Sequence, residues 1–302
     1  MRKEFAGSEA CVVLWNWICL FSMQLFIFIS GYLSQKKDTK DFWSSILKLA
    51  VPLIFFHIIA LAFYVEKPID ISTILSPWYM LWYLLSLICW RCLLQFIPDN
   101  ILRNKRLVLC VIFCISILAG FLPFDRTLSL QRTLAFMPFF FLGYYMKGRN
   151  LFLPDRYKWL SAAFLILILA ILFLYPHRFS FLLFATPYKS ILGAAIRIAV
   201  SVVAIPMSLA FMNVCYKAPW VARQGRMTLQ YYIYHGLLIP PNSSLIIPPL
   251  IALATALNIP MTFATAVVII IVTAFLIALA LKVPYIKMLT NPSSLLIQNT
   301  KS

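Results

Sequence analysis

Apolar stretches of about twenty residues, parted by short polar breaks, recur along the chain from residue 10 to residue 281. The first passes through Leu25-Phe26-Ile27-Phe28-Ile29, closes on Ser30-Gly31-Tyr32-Leu33 and is followed by Lys36, Lys37 and Lys40. As a helix, a run of that length crosses roughly 30 Å of hydrocarbon, and the lysines mark its return to water. The pattern predicts nine spans, at about 10–33, 45–64, 77–97, 107–124, 130–146, 158–175, 190–214, 227–248 and 261–281. These runs are continuous, whereas a transmembrane barrel would alternate in polarity. The first is too long for a cleavable signal peptide, and no small-residue cleavage site follows it. The expected fold is therefore all-α: a polytopic membrane protein with one transmembrane domain over 1–302 and no separate soluble domain.

Composition sharpens this. Of 302 residues, 63% are hydrophobic and 12% charged, against about 45–50% and about 25% in a soluble domain. There is too little charge to clothe a water-facing surface. What charge there is sets the orientation. With the loop after the first span inside, the inside segments hold seventeen cations and the outside segments seven. This positive-inside bias puts the C-terminus in the cytoplasm and the N-terminus outside. One further helix ahead of Met1 would bring both ends inside. The expected location is the cytoplasmic (inner) membrane. The net charge of +17 belongs to these loops and to anionic lipid headgroups, not to nucleic acid. The same loops could also receive the phosphates of an anionic cytosolic coenzyme.

Candidate chemistry is sparse. Cys89 and Cys92, and Cys110 and Cys114, lie among apolar residues without nearby acid or imidazole. They read as small buried hydrophobes, and no metal site is expected. All nine acids fall in loops or at span ends, which weighs against a proton- or sodium-coupled transporter. The groups at depth are basic. Arg197 lies well inside its span and calls for a polar cavity or an anionic ligand. His235 follows Tyr231, Tyr232 and Tyr234, and precedes Pro240 and Pro241, which break the helix. Broken helices are tolerated where they line a cavity. His57, among aliphatic and aromatic neighbours, and Arg91, near a span end, read as structural.

Four segments carry a resemblance. Phe21 to Leu33 resembles the F-H-M-P-L-F-F-F-x-S-G-Y-L run of the membrane-bound acyltransferase-3 family, especially the branch typified by fucose 4-O-acetylases. Leu81-Trp82-Tyr83-Leu84 resembles the family's L-W-F/Y-L, and Pro138 to Tyr145 its P-F-F-x-L-G-Y-Y. Gly225 to His235 resembles its G-x-x-T/S-L-x-I-Y-x-x-H pattern. The segments occur in order over about 21–281. The resemblance implies a ten-helix enzyme that moves an acyl group, usually acetyl from acetyl-CoA, to a sugar hydroxyl of a surface polysaccharide or its lipid-linked precursor. It places Lys36, Lys37, Lys40 and Lys48 where the acyl donor approaches, with acyl-CoA as cosubstrate rather than a bound cofactor.

The departures are specific. The family's first helix carries a basic residue and, about ten residues on, a histidine thought to serve acyl transfer; no such helix precedes Phe21. Ser22 stands where the second helix usually has histidine, and Gln24 where it has proline. The chain therefore reads as a family member lacking its first helix. O-acyl transfer needs a base for the hydroxyl proton and donors for the developing oxyanion. His235 is the candidate base, and Arg197 the candidate stabiliser of an oxyanion or holder of a phosphate. The alternatives are a transporter or flippase for a lipid-linked saccharide, with Arg197 on pyrophosphate, and an inactive truncated family member.

Overall fold

In the computed structural model the residues described are 9–64, 70–78, 80–122, 127–152, 154–174, 191–215, 228–238, 256 and 263–280. Their regular structure is helical throughout. The helices are α1 (Glu9–Tyr32), α2 (Thr39–Tyr64), α3 (Ile71–Leu75), α4 (Trp82–Phe96), α5 (Asp99–Arg103), α6 (Lys105–Ala119), α7 (Leu130–Tyr145), α8 (Lys158–Leu174), α9 (Ile191–Cys215), α10 (Thr228–Leu238) and α11 (Phe263–Ala280).

Leaving aside the five-residue α3 and α5, these helices match the nine expected spans one for one. Among the described residues, α1, α2, the 155–174 segment that contains α8, and α9 are each long and apolar enough to cross a membrane. Three boundaries move by five or six residues: α4 begins at Trp82 rather than near 77, α6 ends at Ala119 rather than near 124, and the third is at α2. α2 begins at Thr39 rather than near residue 45, with Asp41 in its first turn. A carboxylate there suits the positive end of the helix dipole. Lys40 therefore joins Lys48, which lay within the expected span, as a helical residue. The part of the eighth span beyond Leu238 lies outside the described residues.

The chain forms two compact units. One comprises Met1–Cys11, Thr39–Leu85 and Pro219–Ser302; the other comprises Val12–Asp38 and Ser86–Ala218. In the first unit, α10 packs against α2 and α11. Leu81, Trp82, Tyr83 and Leu84 are all buried. The Tyr83 ring meets Tyr232 edge-on at 5.4 Å, and the Tyr232 hydroxyl donates to the Met80 carbonyl at 2.6 Å. Buried Phe56 meets the Tyr234 ring edge-on at 5.6 Å. Such T-shaped pairs bring opposite ends of the ring quadrupoles together.

In the second unit, α6 packs along α7 and α8 along α9. α1 is tied to both sets. The Trp17 indole donates to the Leu165 carbonyl at 3.1 Å, and the Ser208 hydroxyl to the Phe21 carbonyl at 3.4 Å. Leu20, Phe21, Leu25, Leu165, Met207 and Ala210 form a shared apolar cluster there.

In this unit α1 and α7 approach each other backbone to backbone. A Cβ at Gly31 would stand 1.9 Å from the Phe140 carbonyl oxygen, and one at Gly143 would stand 2.0 Å from that of Phe28. Both obstacles are backbone, so no side-chain rotation relieves them. Small residues are what let membrane helices come this near. At the same end of the helices the Lys147 ammonium donates to Gln35 Oε1 at 2.7 Å, and Ser34 Oγ donates to the Ser30 carbonyl at 2.7 Å.

Gly31→Ala and Gly143→Ala are each expected to destabilise the protein by about 1–3 kcal/mol or more, through forced separation of the helices. Because one separation accommodates both methyl groups, the double variant should lose less than the sum of the singles. Thermal or denaturant unfolding in lipid nanodiscs measures this; strict additivity would show that the two glycines do not share a crossing.

Candidate functional site

The largely apolar interior of the second unit also encloses a set of polar side chains. On α9, Ala194, Arg197, Ser201, Ala204 and Ser208 are buried and recur at spacings of three and four. They form one face of small and polar residues, the face whose Ser208 reaches the Phe21 carbonyl of α1. Arg197 stands on it at 6% exposure, six residues into α9 and so about 9 Å along it. A guanidinium held that far from water is costly unless it serves a purpose.

α1 contributes Asn16 and Gln24, both with no exposed surface. Gln24 lies one heptad before Gly31 on the same helical face. Among the described residues neither its Nε2 nor its Oε1 has a hydrogen-bond partner. From sequence, Gln24 was legible only as a departure from a proline. Its burial depends on which face of α1 is covered, and that is a tertiary fact.

The first unit holds His235, on α10, although its side chain lies outside the described residues. Gly225 to Met227, Pro240 and Pro241 lie outside them as well. Five residues before His235, Gln230 is buried at 7% exposure, and its Oε1 has no partner among the described residues. His57 has both ring nitrogens engaged. Nδ1 accepts the Trp78 N–H at 3.3 Å, and Nε2 is 2.8 Å from the Ile74 carbonyl. Those two contacts require the neutral tautomer protonated on Nε2. The ring therefore ties α2 to the segment after it, in keeping with a structural role.

The four candidate donor-binding lysines divide between the units: Lys36 and Lys37 in the second, Lys40 and Lys48 in the first. Lys36 is committed to the connection between α4 and α5. Its ammonium pairs with the Asp99 carboxylate at 2.6 Å and donates to the Ile97 carbonyl at 2.6 Å. Beside it, Gln95 bonds the Lys37 backbone on both sides, accepting from N–H at 3.1 Å and donating to C=O at 2.8 Å. Lys37, Lys40 and Lys48 are exposed. The cysteines differ from expectation: Cys89, Cys110 and Cys114 are exposed, small apolar groups on the outer surface of their helices rather than in the core.

The family model described as an acyltransferase domain, acyltransferase-3, matches residues 8–283. The chain belongs to the acyltransferase-3 family. No curated protein and no solved structure matches it. It is thus a membrane acyltransferase, and the family's motif segments acquire physical roles. In this acyltransferase the Ser30-Gly31-Tyr32 and Leu142-Gly143-Tyr144 segments are the two sides of the α1–α7 crossing. The Leu81 to Leu84 and Thr228 to His235 segments meet through Tyr83 and Tyr232.

Two measurements follow from this geometry. Gln24→Met, which keeps length and removes an orphaned amide, should raise the unfolding free energy of the acyltransferase by about 1–3 kcal/mol. A lowered thermal midpoint would show that the amide is held by a partner. The Lys36 hydrogen bond and charge hold the Asp99 carboxyl below its ordinary value. A depressed carboxylate contributes above its unfolded pKa of about 3.9 and loses that contribution as pH falls through the lower folded value. The pair is thus intact at neutral pH and released only in acid. At pH 7, Asp99→Asn should make Lys36 several-fold more reactive towards an amine reagent while Lys37 stays unchanged; equal labelling in both proteins would contradict the pairing.

Proposed function

We propose that this acyltransferase moves an acetyl group from acetyl-CoA to a sugar hydroxyl of a surface polysaccharide or its lipid-linked precursor, as in the fucose 4-O-acetylase-like branch that its motifs resemble. The observation that carries the reading is the family match over residues 8–283. The buried polar face of α9 around Arg197 supports it.

Chemically, the sugar oxygen attacks the thioester carbonyl as a base takes the hydroxyl proton. The carbonyl oxygen gains charge and is stabilised by nearby donors. Collapse then breaks the C–S bond, and the departing coenzyme thiolate is reprotonated. His235 is the proposed base, since a neutral imidazole suits proton abstraction near pH 7. Arg197 is the proposed partner of the oxyanion or of a phosphate. Lys37, Lys40 and Lys48, all exposed, are the cations proposed to meet the phosphates of acyl-CoA. Lys36 would join them only by exchanging Asp99 for a phosphate. This places the enzyme in the inner cell membrane with its C-terminus and donor-binding loops in the cytoplasm, as the lysine and arginine asymmetry favours.

Arg197 also favours a second reading, a flippase that grips the pyrophosphate of a lipid-linked saccharide. Labelled acetyl-CoA separates the two. Membranes bearing the wild-type chain should transfer label to glycan, and His235→Ala and Arg197→Gln should each lose at least about a hundredfold in rate. Full transfer by His235→Ala would remove it as the base. A wild type that moves saccharide across the membrane without consuming thioester would replace acyl transfer by the flippase reading.

A further inference from the structure

The loop after α1 and the connection from α4 to α5 are fastened to each other at several points. Gln95 grips the Lys37 backbone on both sides, at 3.1 Å and 2.8 Å. The Lys147 ammonium holds the same loop through Gln35 Oε1 at 2.7 Å. Facing it, α5 is anchored by buried Leu102, whose carbonyl accepts the Tyr145 hydroxyl at 3.0 Å. The Lys36 ammonium is itself aimed by the Ile97 carbonyl at 2.6 Å. Lys36 and α5 are thus both held in place by groups other than the Asp99 carboxylate.

That carboxylate nonetheless sits on Lys36, 2.6 Å away, its side chain 75% exposed against 28% for the lysine. Arg103 follows four residues later on the same face of α5. It is exposed, and its charge acts on the same carboxylate as that of Lys36. Asp99 is therefore an oxyanion attended by two cations. So exposed a pair contributes little to stability, because water competes for both partners. A contact that does little for the fold opens readily. A phosphate carries at least the same charge on more acceptor oxygens, and suits an ammonium and a guanidinium together.

We propose that Lys36 and Arg103 form a phosphate site that Asp99 occupies from within the chain, and that a phosphate of the acyl donor enters by displacing it. The Lys36–Asp99 pair is then an autoinhibitory contact, which sets the donor concentration at which the site fills. The proposal rests on the acyl-transfer reading above and adds to it the regulation of donor entry. In the proposed orientation this end of the unit meets the cytoplasm, the side from which acyl-CoA would arrive. The phosphate of an anionic lipid headgroup offers the same chemistry, and the test separates the two sources.

The full chain in phosphatidylcholine nanodiscs would be titrated calorimetrically with coenzyme A and with pantetheine, which has no phosphate. Asp99→Asn should tighten coenzyme A about three- to tenfold and leave pantetheine unchanged, since it removes the competing charge and keeps the side chain's shape. Lys36→Gln and Arg103→Gln should each weaken coenzyme A by a similar factor of about three to ten. With Lys36→Gln already present, Asp99→Asn should gain much less than it does alone, because the two act through one contact. A pair that only braces the loop gives the opposite sign: its loss loosens the site. Coenzyme A binding that Asp99→Asn weakens or leaves unchanged would overturn the proposal. So would equal gains for both ligands, or no binding by any variant. Stabilisation of Asp99→Asn by added phosphatidylglycerol, with coenzyme A ineffective, would give the site to a lipid headgroup and overturn the donor assignment. No acceptor is needed. Asp99-dependent coenzyme A binding without acyl transfer would therefore count against the enzymatic reading alone. Acyl transfer whose KM for acetyl-CoA ignores Asp99→Asn would count against this site alone.

Discussion

Where Cβ atoms would be at residues 31 and 143, the backbone carbonyl oxygens of Phe140 and Phe28 already stand, within 2.0 Å. The second unit is arranged around that exclusion. Because α1 and α7 touch backbone to backbone at one end, their remaining lengths are placed relative to each other. The contacts of α1 with α8 through Trp17 and with α9 through Ser208 then hang on the same helix. On α7, Thr133 and Ala135 receive bonds from α4 and α6. A crossing made by absent side chains cannot be repacked by rotamer changes, only by moving helices.

Within each unit, taken by itself, the outer surface is apolar, unlike that of a soluble protein. α2 and α8 turn Ile54, Ile58, Trp159 and Leu174 outward, where lipid accepts them at no cost. Asn16, Gln24, Gln131, Arg197 and Ser201 go inward. With lipid outside, hydrophobic burial no longer separates core from surface, and packing and internal hydrogen bonds take over that task. Some of the inward groups are used in this way, as Ser86, Ser116 and Ser208 are. Among the described residues Gln24 and Gln131 find no such partner, and a buried amide left without partners destabilises the fold that holds it. Those two residues therefore direct attention to chemistry rather than to structure.

The motif segments of the acyltransferase-3 family divide by the same logic. One pair supplies the glycine crossing and the other the Tyr83–Tyr232 contact, so much of what makes the family recognisable in this chain is helix packing. The groups assigned to chemistry, His235 and Arg197, stand on helices that these contacts position. Lys36 shows how far charge counting reaches: a cation in the right loop proves to be bound to Asp99 and the Ile97 carbonyl.

Period and charge along the chain were enough to establish the all-helical class and, among the described residues, nine apolar helices to within about six residues at their ends; the family was legible in the four motif segments. Each rests on local composition, because a helix of about twenty apolar residues satisfies its own backbone wherever it is placed. The early start of α2 escaped that reading because Lys40 and Asp41 look like loop residues until the helix is seen to run through them. Gln131 gave no signal at all, since a glutamine in a helix's first turn is unremarkable until neighbouring helices cover it. Which face of each helix is inward, which polar groups find partners there and which cations are already paired depend on contacts between segments far apart in sequence. Only the tertiary structure decides these, because a helix's inward face is chosen by its neighbours and not by its own backbone.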